Sequence, residues 1–214
     1  MIRPPRAILR KLSGLVVPSI SDLFFIVVFL LIAFPLAPSF LRDGDTLLHI
    51  KIGQYILEHR TIPQYDIYSF LSPSLPWTAH EWLSEVLMAF CYQAGGFAGV
   101  VALFALTLAL AFVVLFRRLM DESGDILLAG AVTVLAVLSS AIHWLARPHL
   151  FSLLLTVICY QVLDRFQRRG EDRLWVLPPL MLLWVNLHGG YIFGLILIVI
   201  YLCGNTLYWF GGRG

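Results

Sequence analysis

The sequence predicts an all-α protein, a polytopic transmembrane helix bundle of about six spans whose long extracytoplasmic first loop carries short interfacial helices. Three observations predict it. Of 214 residues, 59% are hydrophobic and 13% charged, with a mean hydropathy of +0.84, whereas soluble domains carry about 25% charged residues. Several runs rich in Leu, Val, Phe and Ala approach or exceed the roughly 20 apolar residues that a helix needs to cross about 30 Å of hydrocarbon. The Lys and Arg residues sort into two sets of loops, as expected of a chain that crosses a membrane repeatedly. Helices follow because lipid cannot satisfy a free backbone polar group.

Taken in order, the chain reads as a single membrane domain. Residues 1–20 form a basic tail (Arg3, Arg6, Arg10, Lys11), and the spans are expected at about 21–40, 97–116, 125–145, 150–164, 174–187 and 190–210. A basic tail before an apolar run is also how a signal peptide begins. Here the run from Leu23 to Phe40 has no small-x-small cleavage site before the polar loop, so it reads as an uncleaved first span. Cys91, Cys159 and Cys203 lie in or beside apolar segments at spacings that fit neither a zinc site nor a disulfide framework.

Segment 80–94, HEWLSEVLMAFCYQA, decides the topology. It is short for a span and contains Glu81 and Glu85, each costing about 2.5–3.5 kcal/mol at a helix centre. Trp82, Leu83, Val86, Leu87 and Phe90 recur at helical spacing, which fits an amphipathic helix in the interface. With that segment on the surface, 11 Lys and Arg fall inside and four (Arg42, Lys51, Arg60, Arg147) outside; with it spanning, five fall inside and ten outside. The positive-inside rule selects six spans with a cytoplasmic N-terminus, as in a bacterial inner membrane. The loop 41–96, the turn at 146–149 and the turn at 186–190 then share the extracytoplasmic side with all six histidines: His49, His59, His80, His143, His149 and His188. The opposite loops read as solvated connectors of Arg with a few acids.

Four motifs on that side could carry chemistry. Arg42-Asp43-Gly44-Asp45 opens a helix expected over about 45–59, with Asp45 and His49 at i and i+4 on one face. Asp45 there could take a proton from a hydroxyl with His49 orienting it, or could serve as a first-turn acid or cap favourable to the helix dipole. In the segment from Ile62 to Trp82, Tyr65, Tyr68, Trp77 and Trp82 suit the headgroup level, while Asp66, His80 and Glu81 are candidate binding residues. In Ala146-Arg147-Pro148-His149 the proline interrupts the helix, and Arg147 could grip a phosphate bidentately or snorkel to lipid headgroups. In Asn186-Leu187-His188-Gly189-Gly190 the polar pair ends an apolar helix, placed either to bind a ligand or to hydrogen-bond a neighbouring helix.

No ligand spacing such as HExxH appears, and His143 and His149 stand six apart across a proline, so no metal and no cofactor is expected. Walker A and GxGxxG sequences are absent, as are basic runs with stacking aromatics, so nucleic acid is not expected as a partner.

The order of these motifs resembles the GT-C superfamily of membrane glycosyltransferases, including the protein O-mannosyltransferases. The likeness runs from the first span to the fifth: a long outer loop opening on Asp43-Gly44-Asp45 with His49, a surface helix, and a later outer turn containing Arg147. Asp45, His49, Gly53, Pro63, Asp66, Ser69, His80-Glu81-Trp82 and the segment Trp184 to Gly190 also look like a group of bacterial membrane proteins placed in that superfamily. The resemblance implies inverting transfer of a sugar from a polyprenyl-phosphate carrier to an extracytoplasmic acceptor, with no nucleotide sugar and no obligatory metal. It implies Asp45 as base with Asp43 as substitute, and Arg147 at the carrier phosphate. Relatives often carry a second acid near the later turn, which here offers His143, Arg147 and His149 instead. Relatives also usually have more spans, so a partner subunit or a missing C-terminal half is expected. Beside the enzyme reading stands a non-catalytic membrane assembly or lipid-linked-glycan-binding subunit. A transporter would need charges at mid-membrane, and Asp22 lies near the end of its span.

Overall fold

A computed structural model describes residues 18–68 and 75–211. The basic residues of the tail, Ser69, Phe70 and Arg213 lie outside them. The described residues are all-helical, with one isolated antiparallel bridge between Tyr65 and Pro76 in place of any strand. In chain order the α-helices are α1 (Ile20–Ala33), α2 (Ala37–Phe40), α3 (Asp45–His59), α4 (Trp82–Ser123), α5 (Ile126–Ser140), α6 (His149–Arg169), α7 (Leu177–Leu187) and α8 (Tyr191–Gly211). Four stretches are long and apolar enough to cross a membrane: Trp82–Ser123, Ile126–His143, His149–Arg169 and Tyr191–Gly211. Ile20–Ala33 and Leu174–Leu187 are apolar but shorter. This is the make-up of a membrane protein.

The first apolar run differs from the uninterrupted span expected over 21–40. Ser19 caps α1 by accepting from the Asp22 N–H at 3.2 Å while Asp22 accepts from the Ser19 N–H at 2.9 Å. The helix then stops at Ala33 because Pro35 can neither donate nor continue it, and Pro38 lies in the short α2 that follows.

Helix α4 has two arms. Gly95 (φ −151°, ψ 20°) and Gly96 (φ 59°, ψ −148°) break it, and a side chain would be strained at the second of these. Beyond the break the chain folds back sharply, bringing Gly99 against the Cys91 carbonyl and Phe97 edge-on to Tyr92 at 5.2 Å. Residues 82–94 are thus a separate helix from 97–123, as the Glu-containing segment suggested.

The second arm is the centre of the bundle, with Val100, Phe104, Leu108 and Phe112 buried. The contacts run antiparallel. Phe24 of α1 stacks on Phe116 at 4.9 Å, and Asp22 pairs with Arg117 at 3.0 Å. Trp144, after α5, lies 6.4 Å from Phe40 and 5.8 Å from Phe112. Near the other end Arg118 pairs with Asp164 and Glu122, and Arg168 donates to Asp164 at 2.8 Å. This corrects the expectation of solvated connectors there. α4 runs on to Ser123, so Arg118 is 3% exposed and Asp164 2%.

Helix α3 lies across the first arm of α4, burying Ile50, Ile52 and Ile56. The approach is closest at Gly53, where a Cβ would overlap the Glu85 carbonyl and reach within 2.9 Å of the Ala89 Cβ. Gly53→Ala is therefore expected to destabilise by about 1–3 kcal/mol through overpacking. Gly130→Ala, with nothing within 4 Å of the added Cβ, is expected to be neutral or stabilising. Thermal unfolding in detergent compares the two, and equal midpoints would contradict the contact.

Candidate functional site

The termini of α3, α6 and α7, the start of the first arm and the turn after α5 meet at one end of the bundle around a cavity of about 570 Å³. Its lining includes Asp45, His49, His80, Glu81, Arg147, His149 and His188, seven of the ten residues expected from sequence. Asp43 stands behind Arg147, and Asn186 and Asp66 are placed elsewhere.

Arg147 sits in a turn held by backbone. The Ala146 N–H donates to the Phe40 carbonyl at 2.9 Å, tying the turn to the end of α2, and Pro148 follows as the first cap of α6. The guanidinium bridges both acids of the Asp43-Gly44-Asp45 motif. Nη1 lies 3.2 Å from Asp43 Oδ2, and Nη2 lies 2.6 Å from Asp45 Oδ2. Asp43 Oδ1 also accepts from the Asp45 N–H at 3.2 Å, which shapes the start of α3. Asp45 is thus a first-turn acid, with Gly44 at the cap, and a member of the pocket at once.

One turn along α3, His49 Nδ1 lies 3.1 Å from Oε1 of Glu85, a carboxyl group only 2% exposed. Oε2 of Glu85 has no hydrogen-bond partner among the described residues. In the sequence Glu85 reads only as an obstacle to spanning. The signal that could have found it is its place one turn after Glu81 in an otherwise apolar helix.

The protonation of His188 follows from counting donors. Gly190 N–H donates to Nδ1 at 2.9 Å. Ser152 Oγ accepts from the Trp184 indole at 2.7 Å, so its own proton goes to the same Nδ1 at 2.8 Å. Nδ1 is therefore an acceptor, and Nε2 carries the hydrogen and faces Glu81 Oε1 at 3.4 Å. Burial, with a further lowering from the neighbouring His149, His80, His49 and Arg147, holds His188 down at about 4. Burial raises Glu81 above the usual carboxylate range, against the pull of His49 and His80. Glu81 supplies an acid beside His188 that the later turn itself lacks.

Asn186 works on the structure: its Oδ1 accepts from the Trp82 indole at 2.8 Å, and Ser84 Oγ donates to the Leu187 carbonyl at 2.5 Å. These bonds dock the first arm of α4 onto the end of α7, the helix-to-helix alternative raised for this motif. His149 Nε2 donates to the His143 carbonyl at 2.7 Å. His80 is largely exposed, 3.7 Å from Glu81. Asp66 accepts from the Tyr68 N–H at 3.0 Å and lines a separate cavity of about 120 Å³ with Leu48, Ile52 and Trp77. Trp77, expected at the headgroup level, lines the cavity, and Ser152 is a residue that the motifs do not include, although its place one turn after His149 on α6 offers the hint.

Among the described residues no group of three or more His, Cys, Asp or Glu side chains is set to hold a metal ion. Comparison with family models, curated proteins and solved structures finds no match.

The depressed His188 gives a signed pH effect. Its neutral form belongs to the folded state, so the contribution is complete above the ordinary imidazole value of 6.5 and is lost as pH falls toward about 4. In His188→Asn, which keeps an acceptor for Gly190, the unfolding midpoint is expected to fall less steeply between pH 6.5 and 4. Parallel curves for the two proteins would contradict the assignment.

Proposed function

We propose that the chain is a membrane glycosyltransferase of the GT-C kind, moving a sugar from a polyprenyl-phosphate carrier to an extracytoplasmic acceptor. The observation that carries this reading is Arg147, bridging Asp43 and Asp45 on the wall of one polar cavity at the end of an apolar bundle. A guanidinium matches two oxygens of a phosphate as it matches two carboxylates. A separate, nearly all-apolar groove of about 440 Å³ is lined by Phe29, Phe34, Leu41, Phe97 and Val101, and Leu41 precedes Asp43 by two residues in the chain. A carrier lipid fits that pairing, with its chain in the groove and its phosphate at Arg147. The acceptor hydroxyl attacks the anomeric carbon, the carbon–phosphate-oxygen bond breaks, and the carrier leaves as polyprenyl phosphate. Two groups of the cavity wall could take the hydroxyl proton, Asp45 and His49, and the resemblance favours Asp45.

The topology belongs to the same proposal: six spans in a bacterial inner membrane, a cytoplasmic N-terminus and an extracytoplasmic cavity. In a background without the native cysteines, Arg60→Cys is expected to react with an impermeant maleimide in intact cells and Met120→Cys is not. Labelling of position 120 from outside would overturn the sidedness.

For the chemistry, protein in lipid nanodiscs is supplied with polyprenyl-phosphate sugars, and release of polyprenyl phosphate is followed. Arg147→Gln is expected to lower turnover by about 100-fold, the scale of a lost phosphate clamp, with the folded yield unchanged. Donor binding without turnover in the unaltered protein would favour the non-catalytic lipid-linked-glycan-binding subunit instead.

A further inference from the structure

We infer that His49, held by the buried carboxyl group of Glu85, takes the proton of the acceptor hydroxyl, leaving Asp43 and Asp45 to position Arg147 for the carrier phosphate. This rests on the glycosyltransferase reading and deepens it.

Glu85 is the least expected group in the cavity wall. A carboxyl group 2% exposed, with Oε2 unpartnered among the described residues, is strongly unfavourable unless a partner offsets it. The partner within ion-pair distance is His49, and no Arg or Lys reaches Glu85 among the described residues. Such an arrangement has little structural merit, since an apolar side chain would pack there at lower cost. It has a chemical one. A carboxylate accepting from Nδ1–H fixes the imidazole tautomer and leaves Nε2 as a lone pair; it also stabilises the imidazolium once Nε2 takes a proton. His49 lines the cavity, and Nε2 has no hydrogen-bond partner among the described residues.

The other candidates lack that support. Asp45 is held 2.6 Å from a guanidinium that never deprotonates, so taking a proton would discharge its half of that ion pair. His188 carries its hydrogen on Nε2 and has its Nδ1 engaged by two donors. His149 donates Nε2–H to the His143 carbonyl, a neutral oxygen that stabilises an imidazolium less than a carboxylate does, and His80 is 72% exposed beside Glu81. His49 alone combines a place on the cavity wall with a buried carboxyl group on Nδ1. The groups facing it are Glu85 and Glu81 from the first arm of α4, Asp45 from its own helix, and His80, Arg147 and His188 around the cavity.

The step balances. The acceptor oxygen forms its bond to the anomeric carbon while its proton passes to His49 Nε2. The electron pair of the breaking carbon–oxygen bond leaves on the phosphate at Arg147, and imidazolium later returns the proton to water.

Two measurements test this in nanodiscs. In the polyprenyl-phosphate release assay, His49→Asn is expected to lower kcat by about 100-fold or more, the usual contribution of a general base, with donor KM within about 3-fold. Asp45→Asn is expected to act mainly on donor KM. Independently of turnover, carbethoxylation by diethyl pyrocarbonate is read peptide by peptide, with exposed His80 as internal standard. Glu85→Gln, which preserves shape, is expected to slow modification of His49 by about 5-fold or more, since the carboxylate makes Nε2 the nucleophile, and to leave His80 unchanged. His49→Asn with undiminished kcat, or His49 labelling indifferent to Glu85→Gln, overturns the inference. Glu85-dependent labelling in a protein that releases no carrier from any donor upholds the dyad and overturns the glycosyltransferase reading alone.

Discussion

The cavity depends on how closely α3 can lie against the first arm of α4. At Gly53 the two backbones touch, with the Glu85 carbonyl where a side chain would otherwise be. That approach sets His49, one turn before Gly53, against the Glu85 carboxyl group, and it turns Glu81, one turn before Glu85, toward α7. The same arm then holds the end of α7 through Ser84 and Trp82. A short helix thus ties α3 to the turn at 186–190. A separation of even one methyl group would loosen three polar contacts whose strength depends on exclusion of water.

Two ion-pair systems mark the two ends of the bundle, and they differ in kind. At one end Arg118, Asp164, Glu122 and Arg168 form a network around the buried Arg118–Asp164 pair, with several elements sharing the charge. At the other end Arg147 meets two acids on the wall of an open cavity, where Asp45 is half exposed. Closing a buried network favours a fixed structure. A pair that faces solvent and can be contested by another anion favours binding.

Much of the architecture was legible because it is local. Apolar length set the long helices, Glu81 and Glu85 set segment 80–94 apart from the span that follows it, and Asp45 marked the start of α3. The membership of the cavity was legible too, since Asp45, His49, Glu81, Arg147, His149 and His188 were all named from spacing and shared sidedness. What could not be read was pairing across distance. His49 with Glu85 and Ser152 with His188 are each 36 residues apart, and their register is set by packing at Gly53 and at Trp184. Charge was also misjudged where helices outran their apolar runs. Arg118 and Asp164 read as loop residues, but the helices carry them inside. Pro35 and Pro38 shortened α1 by a rule that sequence did contain, and which the run of apolar residues obscured.

Helix α8 touches the rest of the protein mainly along one narrow edge. Gly194 near its start nestles against Trp184 and Met181, while the most apolar stretch of the helix is only 6% buried within the protein. α5 is nearly as bare, at 11%. The uncovered faces of both helices are apolar, so in a bilayer acyl chain would support them alongside protein. Harsh detergent removes that support first, and the two helices would splay while the core around Phe104 stays intact. A preparation can then keep its helical content yet lose the set of the turns at 141–149 and 186–190, which α5 and α8 flank.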